Sequence, residues 1–133
     1  EPLPDPAMKK VLVVEDHADI RRLIRMTLEF EACEVFEANN GASGLAQAQE
    51  LRPDVILLDV MMPGELDGLE VCRRVKADPT LAHSRVVILS ARGTATDVER
   101  GQQAGSDAYL VKPFSPLQLI KVIDELGPSS AQP

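Results

Sequence analysis

The chain lacks the sequence features of a membrane-spanning or nucleic-acid-binding protein. Its longest uninterrupted apolar runs are only a handful of residues, whereas a helix needs about 20 apolar residues to cross a bilayer. No stretch is rich in lysine and arginine, and the formal net charge is −7. Nonspecific binding to nucleic acid depends on positive charge that neutralises phosphates. We therefore expect no membrane association and no direct contact with nucleic acid.

Cysteine is scarce, and the two cysteines are not placed for a zinc site or a redox motif. Cys33 and Cys72 lie far apart, within apolar stretches. We interpret them as reduced thiols of the core, which suits a cytoplasmic location. The chain also has no glycine-rich phosphate loop after its first predicted strand, which argues against a nucleotide or flavin site.

The length and composition are those of one globular domain. A chain of 133 residues with 44% hydrophobic and 26% charged residues can bury a single core. Residues 1–7 contain three prolines and lack the basic and apolar regions of a signal peptide, so they are predicted to be a linker. Residues 127–133 are predicted to be a similar tail. The folded domain is then expected at residues 8–126.

Continuous apolar runs predict strands that are buried on both faces. The three clear runs are Val11–Val14, Val55–Leu58 and Val86–Leu89. Weaker strands are predicted at Cys33–Ala38 and Ala108–Val111.

Segments with helical spacing separate these strands. In the first segment, Ile20, Leu23, Ile24 and Leu28 fall on one face, and Asp19 is predicted to cap the start. In the last segment, Ser115 and Pro116 are the expected N-cap and first helical residue, and Gly127 the expected stop. Weaker helices are predicted at Asn40–Glu50, Gly68–Lys76 and Thr94–Gly105.

The alternation of strands and helices predicts an α/β fold. Parallel neighbours need crossover connections, which are right-handed and place helices on both faces of the sheet. We expect a three-layer sandwich around a five-stranded parallel sheet of order 2-1-3-4-5. In such sheets ligands bind outside the carboxyl ends of the strands, where the order reverses.

Acidic residues follow two strands that this order makes neighbours. Glu15 and Asp16 come directly after the first strand, and Asp59 ends the third. Adjacent strands lie about 4.8 Å apart, so the three carboxylates would repel one another without a cation. Oxygen ligands with room for water suit Mg²⁺, for which Asp16 and Asp59 are the expected direct ligands. A carboxylate nucleophile in that field forms an aspartyl phosphate.

Two further side chains are expected near Asp59. Lys112 ends the fifth strand and would pair with phosphate oxygens, and Ser90 ends the fourth, where its hydroxyl could donate to a phosphoryl group. Taken singly, each has an ordinary alternative as a cap, turn or surface residue. His17, beside the acids, is interpreted as an exposed loop histidine rather than a ligand.

Several short motifs occur along the chain in a family-specific order. They are Val-Val-Glu15-Asp16, Leu-Leu-Asp59-Val-Met-Met-Pro, Asp67-Gly68, Ser90-Ala91-Arg-Gly, Ala104-Gly105-Ser-Asp-Ala-Tyr109 and Lys112-Pro113-Phe114. With them the chain resembles the receiver domain of two-component response regulators over residues 8–126, which implies the flavodoxin-like receiver fold.

The resemblance implies a phosphorelay role. A sensor histidine kinase or histidine phosphotransfer protein would donate a phosphoryl group to Asp59, with Mg²⁺ held by Glu15, Asp16, Asp59 and the Met61 carbonyl. The Lys112–Pro113 peptide bond would be cis. Such a protein catalyses its own phosphotransfer and dephosphorylation but is not a classical enzyme.

The resemblance also implies a switch. Ser90 would move toward the phosphate as Tyr109 turns inward, changing the surface of helix 4, strand 5 and helix 5 that meets a downstream partner or output domain, or a second copy in a homodimer. The sequence supports mobility of helix 4, since Gly101 is expected to interrupt it and its apolar residues are small.

Two features qualify the pattern. The loop from Pro63 to Gly68 is one residue longer than is usual for the family. Met61 and Arg92 stand two positions after Asp59 and Ser90, where the family tunes hydrolysis of the acyl phosphate. We hypothesise that these bulky side chains screen the attacking water and lengthen the phosphorylated state.

Two other functions are open. An aspartate-nucleophile phosphatase would also form an aspartyl phosphate, but such enzymes typically place a second acid where this chain has Met61, and no cap domain is available. A phosphorylation-independent interaction module would keep the fold without the chemistry. The retained acids and Lys112 argue against that module.

Overall fold

The computed structural model of the chain describes residues 8–61 and 67–126. The predicted linker at 1–7, the predicted tail at 127–133 and residues 63–66 of the predicted longer loop lie outside the described residues. The strands are β1 (Lys9–Val14), β2 (Cys33–Ala38), β3 (Val55–Asp59), β4 (Arg85–Ser90) and β5 (Ala108–Val111). The helices are α1 (Ala18–Thr27), α2 (Gly41–Leu51), α3 (Gly68–Ala77), α4 (Ala95–Gln103) and α5 (Pro116–Leu126).

The five strands form one parallel sheet in the order β2-β1-β3-β4-β5. The predicted fold class and strand order are therefore confirmed. The order reverses at β1 and β3, whose carboxyl ends lie side by side. Among the described residues, no helix is both long enough and apolar enough to cross a membrane.

The alternating side chains of the strands divide the core between the two faces of the sheet. Leu12 and Val14 of β1 join a buried cluster that includes residues of α2 and α3. Val11 and Val13 join the opposite cluster, which includes residues of α1 and α5. Because both faces are covered, the central strands β1, β3 and β4 each contain an unbroken apolar run.

Two helix starts that were predicted from local residues can be compared with the structure, and one of the two predictions is confirmed. Ser115 caps α5 as predicted, since its Oγ accepts a hydrogen bond from the Gln118 N–H at 3.1 Å. The predicted cap of α1 is wrong, because His17 occupies the N-cap position without a side-chain cap bond and Asp19 lies inside the first turn. A carboxylate there still interacts favourably with the helix dipole.

Helix α4 is only lightly attached to the sheet. Gly101 is its one buried residue, and the helix continues through it, so the prediction of an interruption is wrong. A Cβ on Gly101 would lie 2.8 Å from Ile88 Cδ1, so the missing side chain lets α4 approach the sheet closely. An element that buries so little has few contacts to hold it in place.

A 3₁₀ turn at Pro79–Leu81 is absent from the sequence prediction. Asp78 caps it by accepting a hydrogen bond from the Thr80 N–H at 2.9 Å. The Asp-Pro pair at its start is a readable signal, because proline is favoured at the first position of a helical turn.

Candidate functional site

Three acidic residues converge where β1 and β3 end side by side. Asp59 is the last residue of β3, and Glu15 follows β1 directly. Glu15 is 0% exposed and Asp59 is 1% exposed. Ligand oxygens of Glu15, Asp16 and Asp59 all lie within 4.8 Å of one another. The structure therefore gathers the three predicted acids into one cluster.

Lys112 supplies positive charge to this cluster from the loop after β5. Its Nζ donates a hydrogen bond to Glu15 Oε1 at 2.8 Å and lies 3.4 Å from Asp59 Oδ2. The main-chain N–H of Lys112 donates to the Ser90 carbonyl oxygen at 2.8 Å, and the Lys112–Pro113 peptide bond is cis. The ammonium group lies close enough to Asp59 to contact a group bound there.

Two carboxylate oxygens of the cluster have no hydrogen-bond partner among the described residues. They are Asp16 Oδ1 and Asp59 Oδ2, and both are buried. A buried anionic oxygen without a partner is costly, and hard oxygen donors beside open space suit Mg²⁺. The cluster therefore fits the metal that the sequence predicted.

Burial and neighbouring groups shift the pKa values of the two buried acids in opposite directions. The pKa of Asp59 is raised to about 6, chiefly because burial disfavours its ionised form, although the Met61 N–H opposes the rise. Burial also acts on Glu15, but the hydrogen bonds from Lys112 and His17 outweigh it and hold the pKa of Glu15 below its usual range. Glu15 therefore ionises more readily than Asp59.

One residue that the sequence interpretation set aside contacts the cluster. The main-chain N–H and the ring Nδ1 of His17 lie 3.1 Å and 2.9 Å from Glu15 Oε2, and Nδ1 lies 3.2 Å from Asp16 Oδ1. The hydrogen bond with Glu15 is the main cause that raises the pKa of His17, and the charge of Asp16 adds to the rise. Its side chain is 66% exposed, so the exposure was predicted correctly and the contact was missed. The adjacency of His17 to two acids was the available signal.

The predicted switch and tuning residues lie around one cavity, whose lining also includes Val60, the residue after Asp59. Ser90, Tyr109, Met61 and Arg92 all line it. Ser90 is buried, and its Oγ accepts a hydrogen bond from the Arg92 N–H at 3.0 Å. The Met61 N–H donates to Asp59 Oδ1 at 2.8 Å. A change at Asp59 is therefore next to the residues that were expected to respond to it.

A polar network behind the cluster was not predicted. Arg21 of α1 donates from Nη1 to the Glu15 carbonyl oxygen at 2.8 Å and from Nε to Glu37 Oε1 at 3.0 Å. Arg25 donates to Glu37 Oε2 at 2.6 Å, and these arginines lower the pKa of Glu37, Arg25 more strongly. The network anchors the loop that carries two of the acids. The sequence feature that could have predicted this network is the pair Arg21 and Arg25, which lie one helical turn apart on α1.

Comparisons with known proteins agree with this geometry. The family description "Response regulator receiver domain" matches residues 11–124. The chain is 46% identical over 114 residues to the transcriptional regulatory protein ResD of Bacillus subtilis, covering 84% of this chain and 45% of that protein. It is 36% identical over 128 residues to the phosphate regulon transcriptional regulatory protein PhoB of Pseudomonas aeruginosa, covering 93% and 56%. The chain thus spans about half the length of these curated relatives.

A solved structure gives the same fold. The chemotaxis response regulator CheY4 of Vibrio cholerae superposes with a TM-score of 0.84 at 34% sequence identity, and the match covers 90% of this chain and 98% of that one.

Proposed function

Because the chain belongs to the family of response regulator receiver domains, we propose that Asp59 accepts a phosphoryl group from a phosphohistidine donor. The observation that carries the proposal is the environment of Asp59. In the part of the chain that the structure describes, one oxygen of its buried carboxylate has no hydrogen bond; it lies near Lys112 and near a second unpartnered oxygen on Asp16. A phosphoryl group and a metal ion would supply the missing partners.

The chemistry is transfer between two side chains. A carboxylate oxygen of Asp59 attacks phosphorus, the new O–P bond forms as the P–N bond breaks, and the donor imidazole leaves with that electron pair and takes a proton from solvent. The hydrogen bond from the Met61 N–H orients the carboxylate before the attack. Later attack by water on phosphorus restores Asp59 and releases inorganic phosphate.

Residues around Asp59 would hold the incoming charge. Lys112 pairs with a phosphoryl oxygen, and the Ser90 hydroxyl donates to another. Glu15, Asp16, Asp59 and the Met61 carbonyl oxygen would hold Mg²⁺, which supplies positive charge against the phosphoryl oxygens when bound.

The added charge is read out by the neighbouring surface. Phosphorylation brings a charge of about −1.5 to −2, which draws the Ser90 hydroxyl from its bond with Arg92 and lets Tyr109 turn inward. The slight burial of α4 supports this step, because a lightly attached helix shifts at low cost. The surface of α4, β5 and α5 then meets its target.

The proposed partners follow from the chemistry and the relatives. The donor is a sensor histidine kinase or a histidine phosphotransfer protein. The names of ResD and PhoB describe transcriptional regulators, so we propose a downstream protein or output domain as the target, with homodimerisation of this chain as one route to it. Nucleic acid would be contacted by that output domain, and the switch would act in the cytoplasm.

Intact-mass measurement tests the acceptor. Incubation with acetyl phosphate and Mg²⁺ is expected to add one phosphoryl group to the wild type and none to Asp59→Asn. Asp54→Asn is the matched control, because Asp54 lies just before β3, at the opposite end of that strand. It should be phosphorylated normally. An unmodified wild type, or a modified Asp59→Asn variant, would contradict the proposal.

The lifetime of the phosphorylated protein tests the tuning residues. We propose that Met61 and Arg92 screen the acyl phosphate from water, since both line one cavity and the Met61 N–H contacts Asp59 Oδ1. Met61→Ala and Arg92→Ala should each shorten the lifetime, measured as phosphate release after the donor is removed. Unchanged lifetimes in both variants would refute the screening role.

A further inference from the structure

A nitrogen ligand lies at the edge of the acidic cluster. We infer that His17 Nδ1 is a ligand of the cluster, so that the site binds a borderline transition-metal ion, represented by Zn²⁺, in addition to Mg²⁺. The inference rests on the proposed function in one respect: it takes the cluster of Glu15, Asp16 and Asp59 as a metal site.

The spacing of the donor atoms supports a shared ion. Ligands in neighbouring positions around an octahedral ion at about 2.1 Å are separated by about 3 Å. His17 Nδ1 lies 2.9 Å from Glu15 Oε2 and 3.2 Å from Asp16 Oδ1. The ring nitrogen therefore already stands at ligand spacing from oxygens of two acids.

A hydrogen bond alone does not satisfy these atoms. One N–H at Nδ1 can point at only one of the two oxygens. Within residues 8–61 and 67–126, neither Asp16 Oδ1 nor the buried Asp59 Oδ2 has a hydrogen-bond partner. A metal ion can bind the nitrogen and the unpartnered oxygens together.

The chemical nature of the added His17 nitrogen decides which metal ions bind more tightly. Carboxylate and carbonyl oxygens suit Mg²⁺, whereas imidazole suits Zn²⁺, Ni²⁺ and Cu²⁺. Glu15, Asp16 and Asp59 alone would give an all-oxygen site. The addition of His17 gives a mixed site in which Zn²⁺ gains a favourable bond that Mg²⁺ does not.

Calorimetric titration of the full chain with Zn²⁺ and with Mg²⁺ tests the inference. His17→Ala is expected to weaken Zn²⁺ binding by about tenfold or more while changing Mg²⁺ binding much less. His83→Ala is the matched control, because His83 is the other histidine of the chain and its Nε2 contacts the Arg52 carbonyl oxygen away from the cluster. It should leave both affinities unchanged.

A nuclear magnetic resonance measurement reports on the nitrogen directly. With ¹⁵N-labelled histidine, the His17 Nδ1 resonance should move to the position of a metal-bound nitrogen when Zn²⁺ is added, and the resonances of His83 should stay where they are. A His17 resonance that is insensitive to Zn²⁺ would overturn the inference, as would an equal loss of Zn²⁺ and Mg²⁺ affinity in His17→Ala.

The same titrations separate this inference from the proposed function. A wild type that binds neither ion would refute the metal site itself. A wild type that binds Mg²⁺ and is phosphorylated on Asp59, but shows no dependence of Zn²⁺ binding on His17, would overturn only the role of His17 as a ligand.

Discussion

The phenol oxygen of Tyr109 donates a hydrogen bond to the carbonyl oxygen of Arg92 at 2.5 Å. The N–H of that same Arg92 donates to Ser90 Oγ at 3.0 Å. The main chain of Arg92 therefore connects the two predicted switch side chains. Movement of the Ser90 hydroxyl would release the residue to which Tyr109 is anchored.

Tyr109→Phe should loosen the loop after β4. The substitution removes one hydrogen bond and keeps the ring, so the free energy of unfolding should fall by about 1 kcal/mol or less. Amide hydrogen exchange should become faster at Arg92 and Gly93 but not in β3. Equal exchange in both proteins at these amides would show that the bond does not restrain the loop.

Gly68→Ala should destabilise the fold at the junction of β3 and α3. A Cβ at this position would lie 2.4 Å from the Asp59 carbonyl oxygen and 2.5 Å from Val60 Cα. Both are main-chain atoms, so the helix must shift, and we expect a loss of about 1–3 kcal/mol in urea unfolding.

Gly93→Ala is the control for this steric effect. The three atoms nearest to its Cβ would all belong to the side chain of Val111, with Cγ2 at 2.9 Å, and that partly exposed side chain can adjust. The expected change is within about 0.5 kcal/mol. If the two glycine variants lost equal stability, the close approach at Gly68 would not be the cause.

Asp59 should make the metal-free protein less stable as the pH rises. Its pKa is raised from 3.8 to about 6, so the protonated carboxyl favours the folded state below the unfolded pKa. This contribution is lost as the pH rises through about 6, because ionisation is harder in the folded protein. The loss should be on the order of 2 kcal/mol.

Urea unfolding in a chelator between pH 4 and 7.5 measures this effect. Asp59→Asn should lack that part of the pH dependence and should be more stable than the wild type at pH 7.5. Addition of Mg²⁺ should restore stability to the wild type but not to the variant. A wild type and variant with parallel pH profiles would disprove the role of Asp59.

Glu37→Gln should weaken the network that anchors the loop carrying Glu15 and Asp16. Glu37 binds arginines of α1 from β2, so the network connects two elements. We expect a loss of about 1 kcal/mol in the free energy of unfolding. Because Arg21 then holds the Glu15 carbonyl oxygen less firmly, Mg²⁺ affinity measured by calorimetry should also fall.

Glu70→Gln is the matched control for the network. Glu70 also pairs with two arginines, Arg73 and Arg74, but all three belong to α3 and are exposed. Such pairs contribute little, about 0.3–0.5 kcal/mol each. The prediction fails if Glu70→Gln lowers stability and Mg²⁺ affinity as much as Glu37→Gln does.

The sequence predicted the elements whose signals are local. The runs at Val11–Val14 and Val55–Leu58 are apolar because both faces of the sheet are covered, and their short length favours a strand over a helix. The start of α5 at Ser115-Pro116 is likewise determined by residues close in sequence, since Ser115 Oγ accepts a hydrogen bond from the Gln118 N–H. The position of Asp59 at a strand end followed from the same local pattern.

What the sequence did not predict depends on contacts between distant segments. Gly101 has low helix propensity, but its approach to Ile88 on β4 compensates for it, so the helix continues. The bond from Arg21 to the Glu15 carbonyl oxygen requires the relative placement of α1 and the loop after β1. The orientation of His17 toward the acids depends on the main-chain path of that loop, which no residue pattern specified.

The alternation of side chains along β1 has a consequence for how the protein can evolve. Leu12 and Val13 belong to opposite cores, and Glu15 follows the same strand. A one-residue insertion in β1 would exchange the contents of the two cores and shift Glu15 and Asp16 relative to Asp59. Selection against misfolding would therefore also preserve the alignment of the three clustered acids.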